Sequence, residues 1–208
     1  VKILVSAGPT REKIDPVRFI SNRSSGKMGY ALAEAALTAG HCVCIVSGPV
    51  ALKPPPGAEF VPVESAAEMA SAMREHAKDA DLVIMAAAVA DYRPVSAADQ
   101  KIKKSEAKLS LELERTEDIL ASLGKNKKPS QILVGFAAET SELVAHARAK
   151  LEAKNLDWII ANDVSRPSCG FDSDTNAVTM LSRDGRSIEL PLSDKKHLAI
   201  EILKILGL

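Results

Sequence analysis

Short runs of valine, isoleucine, leucine and alanine recur along the chain at Lys2 to Ala7, Cys42 to Ser47, Glu59 to Val63, Leu82 to Ala87, Ile132 to Ala137 and Trp158 to Ala161. Each is too short for a helix and nearly continuous in its apolarity, which is how a strand reads when both faces of its sheet are covered. Between them lie stretches with helical spacing of apolar residues, at Lys27 to Ala39, Ala66 to Lys78, Glu117 to Leu123, Ser141 to Lys154 and Asp194 to Leu206. Buried strands alternating with helices leave few solutions, and the pattern predicts an α/β fold, Rossmann-like and doubly wound around a mostly parallel sheet. With 46% apolar residues, a chain of 208 can bury one core of its own, so a single domain over residues 1–208 is expected.

Two segments break the alternation. "KLSLELER", Lys108 to Arg115, alternates apolar and polar like a strand with one wet face, and "NAVTMLSRDGRSIELPL" reads as two strands around an Asp184-Gly185 turn. Both are expected to add antiparallel strands to the parallel core. The polar, irregular stretch between them and the fourth apolar run predicts a flap over about residues 92–107, while "KPPPG" at 53–57 reads as a stiff connector.

Charge and targeting features narrow the function classes. The 27 basic and 27 acidic residues cancel, which gives no electrostatic case for a nucleic-acid or membrane partner. No apolar run approaches the roughly 18 residues of a membrane span, and the chain starts directly in VKILV without a signal-like region, so a soluble, cytoplasmic protein is expected. The absence of an initiator Met suggests processing or a domain cut from a longer chain. Cys42, Cys44 and Cys169 form no disulfide framework. A metal reading of Cys42 and Cys44 with His41 has poor chelate geometry, because the histidine neighbours a strand face it does not share, and small buried strand residues are the simpler reading. His41, His76, His146 and His197 are scattered and predict no nucleophilic triad.

The candidate site begins at the first strand's end. About twenty residues, "SAGPTREKIDPVRFISNRSSGKMG", separate that strand from the body of the first helix, and Gly8, Gly26 and Gly29 fit no dinucleotide fingerprint. A Walker loop fails because Met28 stands where a magnesium-binding hydroxyl should follow Lys27. What remains is a helix start at Ser24, Ser25 and Gly26, either an ordinary serine N-cap or an anion site built on amides and helix dipole. Arg11, Arg18 and Asn22 in the preceding loop favour a ligand. "MAAAVADYRP" at 85–94 sits at the carboxyl end of a core strand, where α/β sheets bind ligands, and Asp91 there could accept from an amino group. "KIKK" at 101–104 is either a solvated edge or a mobile cation for a triphosphate; Lys150 and Lys154 share a helix face; Phe136 is either core or a cover for a base. A nicotinamide reductase is a competing class, but the glycine fingerprint and a Tyr-x-x-x-Lys dyad are missing; a nucleotide-binding regulatory module is another.

The order of these pieces is more specific than any one. "AGPTRE", "DPVRFISNRSSGKMG", "AAAVADYRP", "KIKK", "GFAAET" and "ANDV" together resemble the phosphopantothenoylcysteine synthetase family over essentially the whole chain, in its CTP-using bacterial form, often fused behind a flavin-dependent decarboxylase. The resemblance implies that 4′-phosphopantothenate is activated by CTP to an acyl-cytidylate, with Mg²⁺ on the triphosphate, and that L-cysteine's amine then displaces CMP. It implies catalytic roles for Asn22 and Lys101, and substrate contacts from Arg18, Asn22, Ala87 and Ala88. It further implies nucleotide contacts from Gly8, Ser24, Ser25, Gly26, Ala86, Ala87, Asp91, Lys101, Phe136, Lys150 and Lys154. Glu117, Asp118, Ile119 and Leu120 complete that set; Glu117 stands where the family usually has proline. A homodimer is also implied, with "KLSLELER" and the terminal hairpin as edges that could pair across a two-fold, unless Lys and Arg merely protect them.

Overall fold

Alternate residues of the first strand, β1 (Lys2–Ala7), enter two different cores. Ile3, Val5 and Ala7 face one, Leu4 the other, as the two-residue period of a strand demands when both sheet faces are covered. A computed structural model describes residues 1–104, 109–139, 143–163 and 173–208. The later strands of the parallel core are β4 (Cys42–Ser47), β5 (Glu59–Pro62), β6 (Leu82–Met85), β9 (Ile132–Glu139) and β10 (Trp158–Asp163), with β2 (Arg11–Lys13) and β3 (Phe19–Ser21) as a separate hairpin and β7 (Tyr92–Pro94) and β8 (Leu113–Arg115) as a separate ribbon. β11 (Thr175–Ser182) and β12 (Ser187–Asp194) extend the core sheet antiparallel, giving the order β12-β11-β10-β9-β6-β1-β4-β5. Counted in chain order, the parallel strands lie 3-2-1-4-5-6 across the sheet, the doubly wound arrangement, with its reversal between β1 and β6.

Helices α1 (Lys27–Thr38) and α5 (Lys195–Ile205) cover one face; α2 (Ala66–Ala77), α3 (Ile119–Asn126) and α4 (Leu143–Ala153) cover the other. Their starts follow from local chemistry. Ser65 caps α2 by accepting from the Glu68 amide at 3.2 Å, Asp118 caps α3 through Ala121 at 3.0 Å, and Asp194 caps α5 through Lys196 and His197. The fold class is the expected one, and the predicted strands and helices recur with ends shifted by a few residues. The "KLSLELER" expectation needs correction: only Leu113–Arg115 is a strand, and it pairs with β7 rather than joining the core. Its alternating leucines at 109, 111 and 113 are exposed, so the periodicity reflects a small ribbon and not a core edge. Lys108, the flap's last residues to 107, Thr140, Ser141, Val164 and Cys169 lie outside the described residues. Among the described residues no helix is long and apolar enough to cross a membrane.

Close packing of α1 on β1 sets where the helix begins. A Cβ on Gly29 would stand 2.7 Å from Ala7 Cβ and 3.1 Å from the Ser6 carbonyl, so glycine is what lets the helix lie this close. Gly29→Val is expected to lower the unfolding free energy by about 1–3 kcal/mol. A reduced urea midpoint at unchanged slope is the measurement.

Candidate functional site

Because the sheet reverses its winding between β1 and β6, the loops leaving their carboxyl ends turn to opposite faces and open a crevice. A cavity of about 800 Å³ lies there, the size of a nucleotide-class ligand site. Its floor is the alanine-rich loop after β6, stapled to the loop after β1: the Ala87 amide donates to Ser6 Oγ at 3.1 Å, Ala88 to the Gly8 carbonyl at 2.9 Å, and Ala90 to Thr10 Oγ1 at 2.9 Å. Asn22 completes this floor. Its Nδ2 donates to the carbonyls of Ala88 at 3.0 Å and Val89 at 3.2 Å. Two carbonyl partners can be satisfied only by the amide's NH₂ end, so the side chain is left with its Oδ1, an acceptor, to offer a ligand.

Two helix starts border the same cavity. Gly26 is the N-cap of α1 at φ 77°, and among the described residues it has no side-chain cap hydrogen bond. The serine N-cap reading is therefore replaced: Ser24 Oγ accepts from the Gly26 amide at 3.3 Å instead, and the helix start is open to an anion. Asp118, Ile119 and Leu120 present the start of α3 from the opposite rim. Lys150 of α4 and Lys154, just past the end of that helix, also line the cavity, and Lys154 pairs with Asp118 at 2.8 Å. Burial pushes the Asp118 carboxyl up, but Lys154, the Ala121 amide and the Lys150 charge together hold it below its ordinary range. Glu117 turns away to Arg74 of α2 at 2.6 Å, and that hydrogen bond lowers its pKa. The helix start survives without the proline because Asp118 caps it and Arg74 holds the preceding residue.

Of the predicted site residues, Asn22, Ser24, Gly26, Ala86, Ala87, Ala88, Asp91, Glu117, Asp118, Ile119, Leu120, Phe136, Lys150 and Lys154 line this cavity. Gly8, Arg18, Ser25 and Lys101 do not. Gly8 lies behind the floor, its Cα 3.4 Å from where a Cβ on Gly26 would be. Arg18 is committed elsewhere: its Nε and Nη2 donate to Asp15 at 2.9 and 2.6 Å, and Nη2 also donates to the Ile102 carbonyl at 2.8 Å. The Ile102 amide returns to Asp15 at 3.1 Å, so this pair clamps the flap next to exposed Lys101.

Sequence reasoning missed Lys27, Asn162, Asn176 and Lys195, which line the cavity from the α1 and hairpin side. Lys27 pairs with Asp174 at 2.7 Å, and Lys195 is only 7% exposed. A polar residue closing a buried apolar run, as Asn162 does, was a readable signal. Asn176 and Lys195 required the hairpin register, which brings the start of β11 and the end of β12 to the crevice. The cysteine-histidine expectation also shifts. Cys42 is exposed, whereas Cys44 lies 3.6 Å from His76 Nδ1, not beside His41. Burial first, and the Glu59 charge second, push the Cys44 thiol up to about 11, which removes it from the reactive thiolates.

Comparison with known proteins places this geometry in a family. Residues 1–207 match the family described as DNA/pantothenate metabolism flavoprotein C-terminal domain. The chain is 54% identical to the Coenzyme A biosynthesis bifunctional protein CoaBC of Bacillus subtilis (strain 168) over 203 residues, 97% of this chain and 50% of that one. The same-named protein of Escherichia coli (strain K12) is 46% identical over 201 residues, 95% of this chain and 49% of that one. The chain thus spans about half the length of the curated relatives it matches. The crystal structure of the C-terminal domain of a CoaBC protein superposes with a TM-score of 0.85 at 50% identity, over 99% of this chain and 93% of that one.

The Asp15 clamp gives a test. Asp15 is buried and accepts from the Val17 and Arg18 amides as well as the guanidinium. The Arg18 hydrogen bond, helped by these amides against the cost of burial, holds its carboxyl far below the usual carboxylate range. A depressed folded pKa contributes stability that is complete above the unfolded value near 3.9 and is lost only as pH falls through the folded value. Asp15→Asn is expected to speed protease cleavage within residues 95–104 severalfold, and this difference should be the same at about pH 8 and about pH 5. Cleavage mapped by mass spectrometry checks it.

Proposed function

This chain belongs to the DNA/pantothenate metabolism flavoprotein C-terminal domain family, and from that membership we propose that it is a phosphopantothenate–cysteine ligase, joining 4′-phosphopantothenate to L-cysteine with CTP as activating nucleotide. The observation that supports this most is the meeting, in one crevice, of two helix starts, Lys150 and Lys154, and the fixed amide of Asn22. Such a wall suits a ligand with several phosphates next to a group undergoing acyl transfer.

The reaction follows from the charges. A carboxylate is a poor electrophile, so its oxygen first attacks the α-phosphorus of CTP; the α–β phosphoanhydride bond breaks and pyrophosphate leaves. The amine of cysteine then attacks the acyl carbon, the C–O bond to phosphate breaks, and CMP departs with that electron pair while the amine loses a proton. The open α1 start, Lys150 and Lys154 hold phosphate oxygens, and Lys101 is carried by the flap to the triphosphate. Phe136 covers the base and Asp91 accepts from its amino group. Asn22 acts in the second step: with its NH₂ end held by the floor, its Oδ1 accepts from the incoming amine and orients it at the acyl carbon. Arg18 contributes by holding the flap.

Among the described residues the lining carboxylates are Asp91, Glu117 and Asp118, of which Glu117 and Asp118 are paired with Arg74 and Lys154, and Asp91 alone is no cage for a divalent ion. Mg²⁺ held mainly by phosphate oxygens fits this lining, and when bound it neutralises charge on the triphosphate. The protein works as the ligase half of a longer chain carrying a flavin-dependent decarboxylase. It pairs as a homodimer in the cytoplasm; exposed Phe19, Tyr92, Val95 and Leu113 on the β2–β3 hairpin and the adjoining ribbon supply an apolar face for a second copy.

Separate assays of the two half-reactions test the assignment. Lys101→Gln is expected to slow pyrophosphate release by about 10²-fold or more. Asn22→Asp, which sets a carboxylate oxygen against the Ala88 and Val89 carbonyls, should leave pyrophosphate release largely intact, with the acyl-cytidylate accumulating when cysteine is added. Equal losses in both halves for both variants would overturn this division of roles. Absence of CTP-dependent pyrophosphate release with 4′-phosphopantothenate would overturn the ligase reading itself.

A further inference from the structure

At the β4–β5 edge of the sheet, outside the crevice lining, three ligand-bearing side chains converge. Cys44 on β4 and Glu59 on β5 are cross-strand partners in the parallel register, and His76 comes from the last turn of α2, which packs over this edge. The Cys44 sulfur, a Glu59 carboxylate oxygen and a His76 ring nitrogen all lie within 4.8 Å of one another. Cys44 Sγ is 3.6 Å from His76 Nδ1, and Glu59 Oε1 is 3.8 Å from the same nitrogen.

We propose that Cys44, Glu59 and His76 form a binding site for a divalent ion of the Zn²⁺ class, tying the edge strand β5 and helix α2 to β4. Bond lengths of about 2.3 Å to sulfur and about 2.0–2.1 Å to nitrogen or oxygen give tetrahedral edges of about 3.6 Å for S···N and about 3.4 Å for N···O. The S···N separation of 3.6 Å matches, the N···O separation of 3.8 Å is longer, and the sulfur and the carboxylate oxygen lie within 4.8 Å. The orientation also separates this arrangement from a nucleophile triad. There the thiol and the carboxylate address opposite ring nitrogens; here both lie nearest the same nitrogen, Nδ1, with Glu59 at 3.8 Å and so beyond hydrogen-bond reach of it. An ion between the three atoms would take one donor atom from each. Binding displaces the Cys44 thiol proton to solvent, the resulting thiolate and the carboxylate cancel the dication, and sulfur with imidazole selects a borderline-soft ion over Mg²⁺ or Ca²⁺. Glu59 is largely exposed, so the fourth position opens to water.

The site stands apart from the ligase reading, because none of its residues lines the crevice and its readout is metal binding. The probe is Co²⁺, added to chain dialysed against chelator, followed by Zn²⁺ competition with a chromophoric chelator. One Co²⁺ per chain is expected, with tetrahedral ligand-field bands and a thiolate-to-metal charge-transfer band. Cys44→Ser should abolish the charge transfer, and Cys42→Ser should leave it. Glu59→Gln, an isosteric change at an exposed position, and His76→Ala should each weaken Zn²⁺ binding about tenfold or more. The proposal is overturned if the unsubstituted chain gives no charge-transfer band, if the band survives in Cys44→Ser, or if either Glu59→Gln or His76→Ala binds Zn²⁺ unchanged. Circular dichroism of each variant establishes that the fold is retained.

Discussion

Six parallel strands covered on both faces can be connected only by crossovers, and where the chain changes the direction of those crossovers the sheet must split at its carboxyl edge. In this protein the split falls between β1 and β6. Every feature of the candidate site depends on it. The loop after β1 is long because it must leave the sheet, form the β2–β3 hairpin and return to start α1; the loop after β6 is built of alanines because it lies against that returning chain. Ser6, Gly8 and Thr10 spend their hydrogen bonds on the second loop, so the crevice floor is a rigid backbone surface rather than a loose turn.

The flap is tied to the hairpin on the other side. Asp15 and Arg18 belong to the hairpin, yet their hydrogen bonds end on Ile102 in the flap. A buried carboxylate with several charge-assisted donors is an anchor that neutral solution does not loosen. It therefore holds the flap's base while Lys101 beside it stays exposed, a division between hinge and load that suits a cation delivered after substrate binds.

Asn22 shows how local and distant structure combine in one residue. Its type and its place before a helix start are visible in the chain, and the family resemblance marks it as catalytic. Which end of its amide is available is another matter. That is decided by Ala88 and Val89, more than sixty positions away, whose carbonyls take the NH₂ end. What the fold leaves available is therefore the acceptor end of the amide, Oδ1, and not its NH₂ end.

Much of the fold was legible because burial on both faces leaves a local mark: apolar runs of strand length, helical spacing between them, and a turn at Asp184-Gly185 are all short-range patterns. Most of the crevice lining was legible too, since ligands gather at strand ends and the motifs there keep their order. The partners of Arg18 and the pairing of the ribbon strand Leu113–Arg115 were not legible, for one reason. Composition and periodicity report which face of an element is apolar but not what it meets, and Arg18 meets Asp15 while the ribbon's leucines meet no core. Asn176, Lys195 and the Cys44, Glu59 and His76 cluster depend on register between segments far apart in the chain, which a one-dimensional pattern does not carry. Chain chemistry alone dictated the elements and the class of fold; three-dimensional packing decided the partners, because hydrogen bonds and ion pairs select by distance and direction.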